Sequence, residues 1–171
     1  MRNQERYCRP VPGDRVQIDV CKIAPAVYQY TAIDDCTRIR VLRAYDRCNQ
    51  ATSIRFLDEV LARLPFRVET VQTDNGAEFQ SGFHYHVLDR GIGHVYIRPA
   101  TPRLNGKVER SHRIDADEFY KLLDGVIVDD TGLFAERLRE WENFYNFDRP
   151  HGGLGGQTPY ERLRLKTASP M

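Results

Sequence analysis

Apolar and polar residues alternate along the first part of the chain, as they do in half-buried β-strands. In the segment RVQIDVCK, apolar Val16, Ile18 and Val20 alternate with polar Gln17 and Asp19. Two segments rich in β-branched and aromatic residues follow, each after a short connection, which favours an antiparallel meander. The three predicted strands are Arg15–Lys22, Val27–Ile33 and Ile39–Tyr45.

The rest of the chain changes between helical and strand-like periodicity. In the last helical segment, Phe134, Leu138, Trp141 and Tyr145 recur at three- or four-residue intervals, and this apolar stripe predicts a helix packed on the core. The predicted helices are about Gln50–Leu64, Ser81–Arg90, Leu104–Leu123 and Leu133–Asn146, and the predicted strands are Arg67–Thr73 and Gly93–Arg98.

The resulting order, β-β-β-α-β-α-β-α-α, predicts an α/β fold. Three meandering strands followed by strand–helix alternation indicate a mixed five-stranded sheet with helices on both faces. We divide the chain into an N-terminal arm of residues 1–14, a core of residues 15–165 and a C-terminal tail of residues 166–171. Asp74 follows the fourth strand, at the kind of strand end where polar groups converge in such folds.

The composition is that of an ordinary globular protein, with 171 residues of which 41% are hydrophobic and 29% charged. No apolar run approaches the ~20 residues of a membrane span and no signal-like segment opens the chain, so we expect a cytoplasmic, nucleoid-associated protein. The four cysteines form no CxxC pair and have no histidine at zinc-finger spacing, so we expect reduced thiols and no zinc site.

The net charge of the chain is only +1, which is low for a dedicated DNA-binding module. Positive charge is nevertheless concentrated between residues 98 and 113, where five cations accompany a single acid, Glu109. Such a pattern is typical either of a solvated helix face or of a surface that binds a phosphate backbone. The five cations are Arg98, Arg103, Lys107, Arg110 and Arg113.

Three acidic residues stand out by their positions. Asp19 interrupts an apolar strand pattern, Asp74 ends a strand before a turn-forming Asn-Gly pair, and Glu109 lies among cations near the start of a helix. Each has an alternative interpretation: an exposed strand residue for Asp19, a helix N-cap or Asx-turn for Asp74, and an i,i+4 partner of Arg113 for Glu109. Together they offer the hard oxygen ligands that Mg²⁺ prefers and that a two-metal displacement at phosphorus uses.

Three sequence blocks resemble the signature blocks of the retroviral-integrase superfamily of DDE transposases. They are VQIDV around Asp19, QTDNGAEF around Asp74 and RLNGKVERSHR around Glu109. The 34 residues between Asp74 and Glu109 are close to the spacing usual in that superfamily. The segments AIDDCTR and NFYNFDRPHGGLGGQTPYERL are similar to bacterial insertion-sequence transposases, so the resemblance covers about residues 11–163.

The resemblance implies a ribonuclease H-like fold and metal-dependent DNA cleavage and strand transfer, without a covalent enzyme–DNA intermediate. It assigns Asp19, Asp74 and Glu109 to a catalytic, metal-binding triad and implies two Mg²⁺ ions as cofactor, with Mn²⁺ as a substitute. Arg113 occupies the position where retroviral integrases carry a DNA-contacting lysine, whereas Ala116 replaces the next cation of the family.

DNA, both as element ends and as target, is therefore the expected partner. We expect a homodimer or higher homo-oligomer, since strand transfer must coordinate two DNA ends. Only about 14 residues precede the first strand, so a helix-turn-helix region is expected to be missing or to belong to a separate chain. The predicted DNA-binding residues are Asn75, Arg98, Arg103, Lys107, Arg110, His112 and Arg113.

Two other functions are compatible with the same residues. One is a ribonuclease H-like nuclease that cleaves without joining, although the transposase-like tail around His151 favours transfer. The other is a catalytically silent DNA-binding or dimerisation remnant, against which the three retained carboxylates argue. We interpret Asp34 and Asp35 as turn residues, and His151 as part of a structural turn or dimer contact.

Overall fold

A mixed five-stranded sheet forms the centre of the molecule, which a computed structural model describes over residues 11–97, 106–123 and 131–167. The strand order is β3-β2-β1-β4-β5. The first three strands pair in antiparallel fashion, and β4 and β5 are added in parallel to β1, which confirms the predicted mixed sheet. The strands are β1 Val16–Ala24, β2 Val27–Asp34, β3 Arg40–Tyr45, β4 Thr70–Thr73 and β5 Gly93–Tyr96.

Five α-helices accompany the sheet in the described part of the chain. They are α1 Gln50–Arg63, α2 Gly82–Asp89, α3 Gly106–Ile114, α4 Thr131–Asn143 and α5 Pro159–Thr167. Helix α3 continues through a π-helical stretch, Asp115–Tyr120, into a last turn, Lys121–Leu123, and α4 continues into π-helical Phe144–Asp148. Among the described residues, no helix has the length and apolar character needed to cross a membrane.

The first four helices agree with the predicted ones to within a few residues, apart from the ends of the predicted helix and strand that fall on residues 98–105. Helix α5 was not predicted. Its apolar periodicity in the sequence is weak, and only Pro159 and Leu163 of this helix are buried. A capping signal was nevertheless present in the sequence TPYE, where the Thr158 hydroxyl accepts a hydrogen bond from the Glu161 amide at 3.2 Å and proline occupies the first helical position.

Side-chain alternation along the strands divides the core between the two faces of the sheet. Tyr30 and Ala32 of β2 pack in a cluster with residues of α1 and α2. Gln29 precedes Tyr30 and therefore points to the opposite face, where its side chain contacts Asp115 and Tyr120. A second apolar cluster on that face joins Leu42 to the continuation of α3 and to α4. Helices therefore cover both faces, as predicted.

The second face also contains a fully buried ion pair between Arg40 of β3 and Asp115, both 0% exposed. Arg40 Nη1 and Nη2 donate to the two carboxylate oxygens of Asp115 at 2.9 and 2.7 Å. The Trp141 indole donates to the same carboxylate at 2.7 Å, and the Gln29 amide donates at 3.3 Å. The Tyr145 ring lies 3.8 Å from the guanidinium carbon. Five side chains from β2, β3, the π-helical continuation of α3, and α4 with its continuation thus meet at one point.

We predict that Asp115→Ala lowers the free energy of unfolding by about 3–5 kcal/mol, because it leaves the Arg40 charge buried without a partner. Urea denaturation measures this loss. The control is Glu140→Ala, which removes the ion pair between Glu140 and Arg137. The side chains of Arg137 and Glu140 are 50% and 58% exposed, so this variant should lose less than about 1 kcal/mol. Equal losses in the two variants would contradict the assignment of stability to the Arg40–Asp115 pair.

Candidate active site

The parallel pairing of β1 with β4 aligns two of the three candidate carboxylates. The register pairs Val16 with Val71 and Gln17 with Gln72. Asp19 and Asp74 each lie two residues beyond the paired glutamines, so the same register brings them next to each other where β4 ends. Because side chains alternate along a strand, Gln17 and Asp19 lie on the same side of β1. This side is the face of the sheet that α3 and α4 cover.

The turn after β4 fixes the orientation of Asp74. Its Oδ1 accepts a hydrogen bond from the Gly76 amide at 2.8 Å, which is the Asx-turn that the sequence left open as an alternative. A Cβ at Gly76 would lie 2.4 Å from Glu78 Oε1, so glycine suits this close approach. Within the described part of the chain, Oδ2 of Asp74 accepts no hydrogen bond. The turn and a ligand role are therefore compatible.

Helix α3 brings the third carboxylate to the same region. Val108 and Ser111 are buried and seat the helix on the sheet, whereas the neighbouring Glu109 is exposed. His112, three residues later on the same face, places Nε2 3.9 Å from Asp19 Oδ2. Glu109 and Arg113 are both described and form no ion pair with each other, so the alternative i,i+4 interpretation of Glu109 is not borne out.

The electrostatics of Asp19 link the three acids. Burial raises the pKa of Asp19, and the negative charges of Asp74 and Glu109 raise it further, while His112 and the Val20 amide, 2.8 Å from Oδ1, lower it. Mutual repulsion among carboxylates of this kind is relieved by a bound cation. The oxygen donor set therefore fits a divalent ion in its chemistry.

The three carboxylates do not together form a closed set of metal ligands. Over residues 11–97, 106–123 and 131–167, no three acidic, histidine or cysteine side chains lie close enough together to hold a metal ion. Asp19 and Asp74 are half-buried and Glu109 is exposed. The structure brings the three predicted carboxylates into one region, but it does not bring them together as a complete metal site.

The predicted DNA contacts separate onto two faces of α3. His112 and Arg113 lie on the face of Glu109, because they follow it by about one helical turn. Lys107 projects from the opposite face, and Arg110 lies between the two, about 100° around the helix from Glu109. Lys107 forms an ion pair with Asp35 in which both side chains are mostly buried, whereas Arg110 and Arg113 are exposed. Asn75 is exposed beside Asp74. Two further predicted contacts, Arg98 and Arg103, lie outside the described residues.

Sequence reasoning missed the part played by Asp115 in placing this site. Asp115 lies six residues after Glu109 and is held by Arg40, which is 75 residues away in sequence. The available signal was Arg40, one of two arginines in the apolar strand pattern IRVLRAY, because a charge that a strand buries needs a partner. The sequence does not name that partner, because no local periodicity connects the two residues.

His151 forms part of a buried turn, bridged to Gln157. Burial lowers the pKa of His151 to about 4, and the nearby charge of Arg149 lowers it as well, so the ring is neutral near pH 7. Its Nε2 lies 3.3 Å from the Tyr145 carbonyl and must carry the proton, which leaves Nδ1 to accept from Arg149 Nη1 at 3.2 Å. These contacts agree with a structural turn.

Comparison with known proteins assigns the chain to a family. Two family models, both described as integrase core domain, match residues 9–102 and 90–159. The first match covers more than half of the chain, which therefore belongs to the integrase core domain family. This is the family that the three sequence blocks indicated.

Two curated relatives agree with this assignment. A putative integrase, ORF3, of Spiroplasma virus SpV1-C74 is 27% identical over 156 residues, which cover 80% of this chain and 41% of that protein. An uncharacterized 39.2 kDa protein of insertion element IS476 from Xanthomonas euvesicatoria is 30% identical over 131 residues, covering 75% of this chain and 37% of that protein. The chain thus spans about two fifths of the length of these relatives.

Solved structures support the fold. A chain of the simian T-cell lymphotropic virus intasome in complex with PP2A regulatory subunit B56 gamma superposes with a TM-score of 0.78 at 21% identity, covering 95% of this chain and 57% of that one. The catalytic core domain of BIV integrase superposes with a TM-score of 0.71 at 21% identity, covering 91% and 96%. These likenesses confirm the expected ribonuclease H-like fold.

We predict that protonation of His151 destabilises the fold. Because its pKa lies near 4 when folded and ordinarily near 6.5, the unfolded chain binds more protons between these values, so stability present above pH 6.5 is lost as pH falls toward 4. The loss is at most about 3.5 kcal/mol, at about 1.4 kcal/mol per pH unit between the two pKa values. In His151→Gln the free energy of unfolding, measured in urea, should fall less steeply across this range. An unchanged slope would contradict the prediction.

Proposed function

We propose that the chain contains the catalytic site of a metal-dependent polynucleotidyl transferase that cleaves and joins DNA strands, with Asp19, Asp74 and Glu109 as the catalytic carboxylates. The observation that carries the proposal is the alignment of the two aspartates by the β1–β4 register, with α3 bringing Glu109 into the same electrostatic field. Membership of the integrase core domain family supplies the reaction class.

These three carboxylates are the residues that would hold Mg²⁺, or Mn²⁺ as a substitute. Two such ions, when bound, would activate the attacking oxygen and stabilise the leaving 3′-oxygen. The protein contributes the placement of the oxygen ligands. The Gly76 amide orients Asp74, the His112 side chain lies beside Asp19, and the Arg40–Asp115 pair holds the helix that carries Glu109.

The proposed reaction has two steps at phosphorus. Water first cleaves one strand and exposes a 3′-hydroxyl, which then attacks a phosphodiester of the target in line. Asn75 and Arg113 are exposed and lie close in sequence to Asp74 and Glu109, which supports them as the proposed contacts of the flanking backbone. Element ends and target DNA are the proposed substrates. A homo-oligomer is the proposed active form, since two ends must be joined in one event.

We predict that Asp74→Asn and Glu109→Gln each lower DNA cleavage at least 100-fold, because each removes one charged oxygen ligand. Nicking of a supercoiled plasmid with Mn²⁺ measures cleavage without knowledge of the element ends, and joined products on a gel report transfer. Asp58→Asn is the matched control, because it removes the same charge from α1, on the face of the sheet opposite α3. Asp58 pairs there with His86 of α2 and with Arg90. Full activity of Asp74→Asn would show that the assigned mechanism is wrong.

We also predict saturable Mn²⁺ binding by the wild-type chain in calorimetric titration. Glu109→Gln should weaken it at least tenfold, whereas Asp58→Asn should bind as the wild type does. This measurement separates the enzyme from a catalytically silent remnant. Binding that is absent from the wild type, or unaffected by the loss of Glu109, would support the silent alternative.

A further inference from the structure

A cavity of about 310 Å³ lies on the side of α3 that faces away from Glu109. Its walls come from α3, from the connection between β2 and β3, and from the segment Arg149–Leu154. The volume is at the lower end of the range of about 300–1,000 Å³ usual for ligand sites. The lining contains no acidic residue and has four cationic side chains: Arg38, Lys107, Arg110 and Arg149.

Two of the four charges are neutralised from outside the cavity. Lys107 pairs with Asp35, and Arg149 pairs with Glu118 through hydrogen bonds of 2.5, 2.9 and 3.2 Å. Arg38 and Arg110 form no ion pair within the described part of the chain. The cavity therefore has an excess of about two positive charges in a protein whose net charge is only +1.

The guanidinium groups are held in place by neighbouring groups. Arg149 is fixed by Glu118 on one side and by the lone pair of the neutral His151 ring on the other. Arg38 has a left-handed backbone, with φ of 67°, and its Nη1 donates to the Asp35 carbonyl. Arg38 and Arg110 are the two guanidinium groups of the lining that no acid engages within the described residues, and such groups suit the oxygens of a phosphate.

We propose that this cavity binds a backbone phosphate of DNA at a place separate from the catalytic carboxylates. The choice of DNA as the source of the phosphate rests on the proposed function. Helix α3 would then contact DNA at two places, through Arg113 next to the carboxylates and through Arg110 at the cavity. Such a phosphate contact adds affinity and fixes the position of the strand without reading its sequence.

Gly152 provides a direct test, because a Cβ at this position meets no atom within 4 Å and the residue lines the cavity. Gly152→Glu places a carboxylate at the cavity, and Gly152→Gln adds the same bulk without charge. DNA affinity is measured by fluorescence anisotropy with a labelled 20-base-pair duplex at several salt concentrations. We expect Gly152→Glu to bind roughly tenfold more weakly than Gly152→Gln. We also expect its salt dependence to be shallower by about one phosphate contact.

Two further variants exclude general effects of charge and bulk. Leu88→Glu adds the same negative charge on α2, at a side chain that is 46% exposed, and should bind DNA as the wild type does. Arg110→Gln removes one cavity charge without adding a group and should also weaken binding. Circular dichroism verifies that each variant is folded. Equal DNA affinity of Gly152→Glu and Gly152→Gln would overturn the proposal.

A titration with inorganic phosphate tests the chemistry of the cavity independently of DNA. Amide resonances of Gly152 and Gly153 should shift saturably in the wild type, and the Gly153 shift should be lost in Gly152→Glu. No saturable shift would overturn the phosphate site. Saturable shifts together with unchanged DNA affinity in Gly152→Glu would show a small-anion site and overturn the DNA assignment.

The cavity and the catalytic proposal can fail separately. The effect of Gly152→Glu on DNA affinity should persist in an Asp74→Asn background, which retains the cavity. If the chain cleaves no DNA but the effect of Gly152→Glu persists, the proposed catalysis falls and the phosphate site stands. If cleavage requires Asp74 but Gly152→Glu has no effect on DNA affinity, the proposed catalysis stands and the phosphate site falls.

Discussion

The buried pair of Arg40 and Asp115 is the interaction on which the placement of the other elements depends. Two charges that are both fully buried are tolerated only with a close bidentate contact and further hydrogen bonds, and both conditions are met. The geometry cannot be satisfied unless β3, the π-helical continuation of α3 and helix α4 meet at the correct depth. Glu109 lies less than two helical turns before Asp115, so the same constraint seats α3 over the sheet.

The neighbouring contacts extend this constraint. Glu142 of α4 accepts from the Leu42 amide at 2.7 Å, and Asn146 exchanges hydrogen bonds of 2.9 and 2.8 Å with the backbone of Arg40. Helix α4 is therefore tied to the edge strand β3 by polar groups as well as by its apolar stripe. In contrast to Asp115, Asp19 is repelled by the neighbouring carboxylates of Asp74 and Glu109, and a bound cation would relieve this repulsion. Stability is concentrated on one side of α3, and the proposed chemistry on the other.

Sequence patterns predicted most of this fold, because strand alternation and helical stripes report the apolar side of each element. The strands around Ile18 and Tyr30 and the stripe from Phe134 to Tyr145 were of this kind. The three signature blocks placed the candidate carboxylates without knowledge of the register. Contacts between distant polar residues could not be predicted, since Arg40 with Asp115 and Arg149 with Glu118 have no shared local pattern. Helix α5 was missed because its apolar periodicity is weak and the capping signal at Thr158 was not used.

Asp19, Asp74 and Glu109 are proposed to form one metal-binding site, although the three side chains do not form a closed ligand set in the structure described. Anomalous scattering from crystals of the chain soaked in Mn²⁺ can test this proposal. We predict an anomalous peak between Asp19 and Asp74, with Glu109 drawn toward it. A peak elsewhere, or none at this position at saturating Mn²⁺, would contradict it.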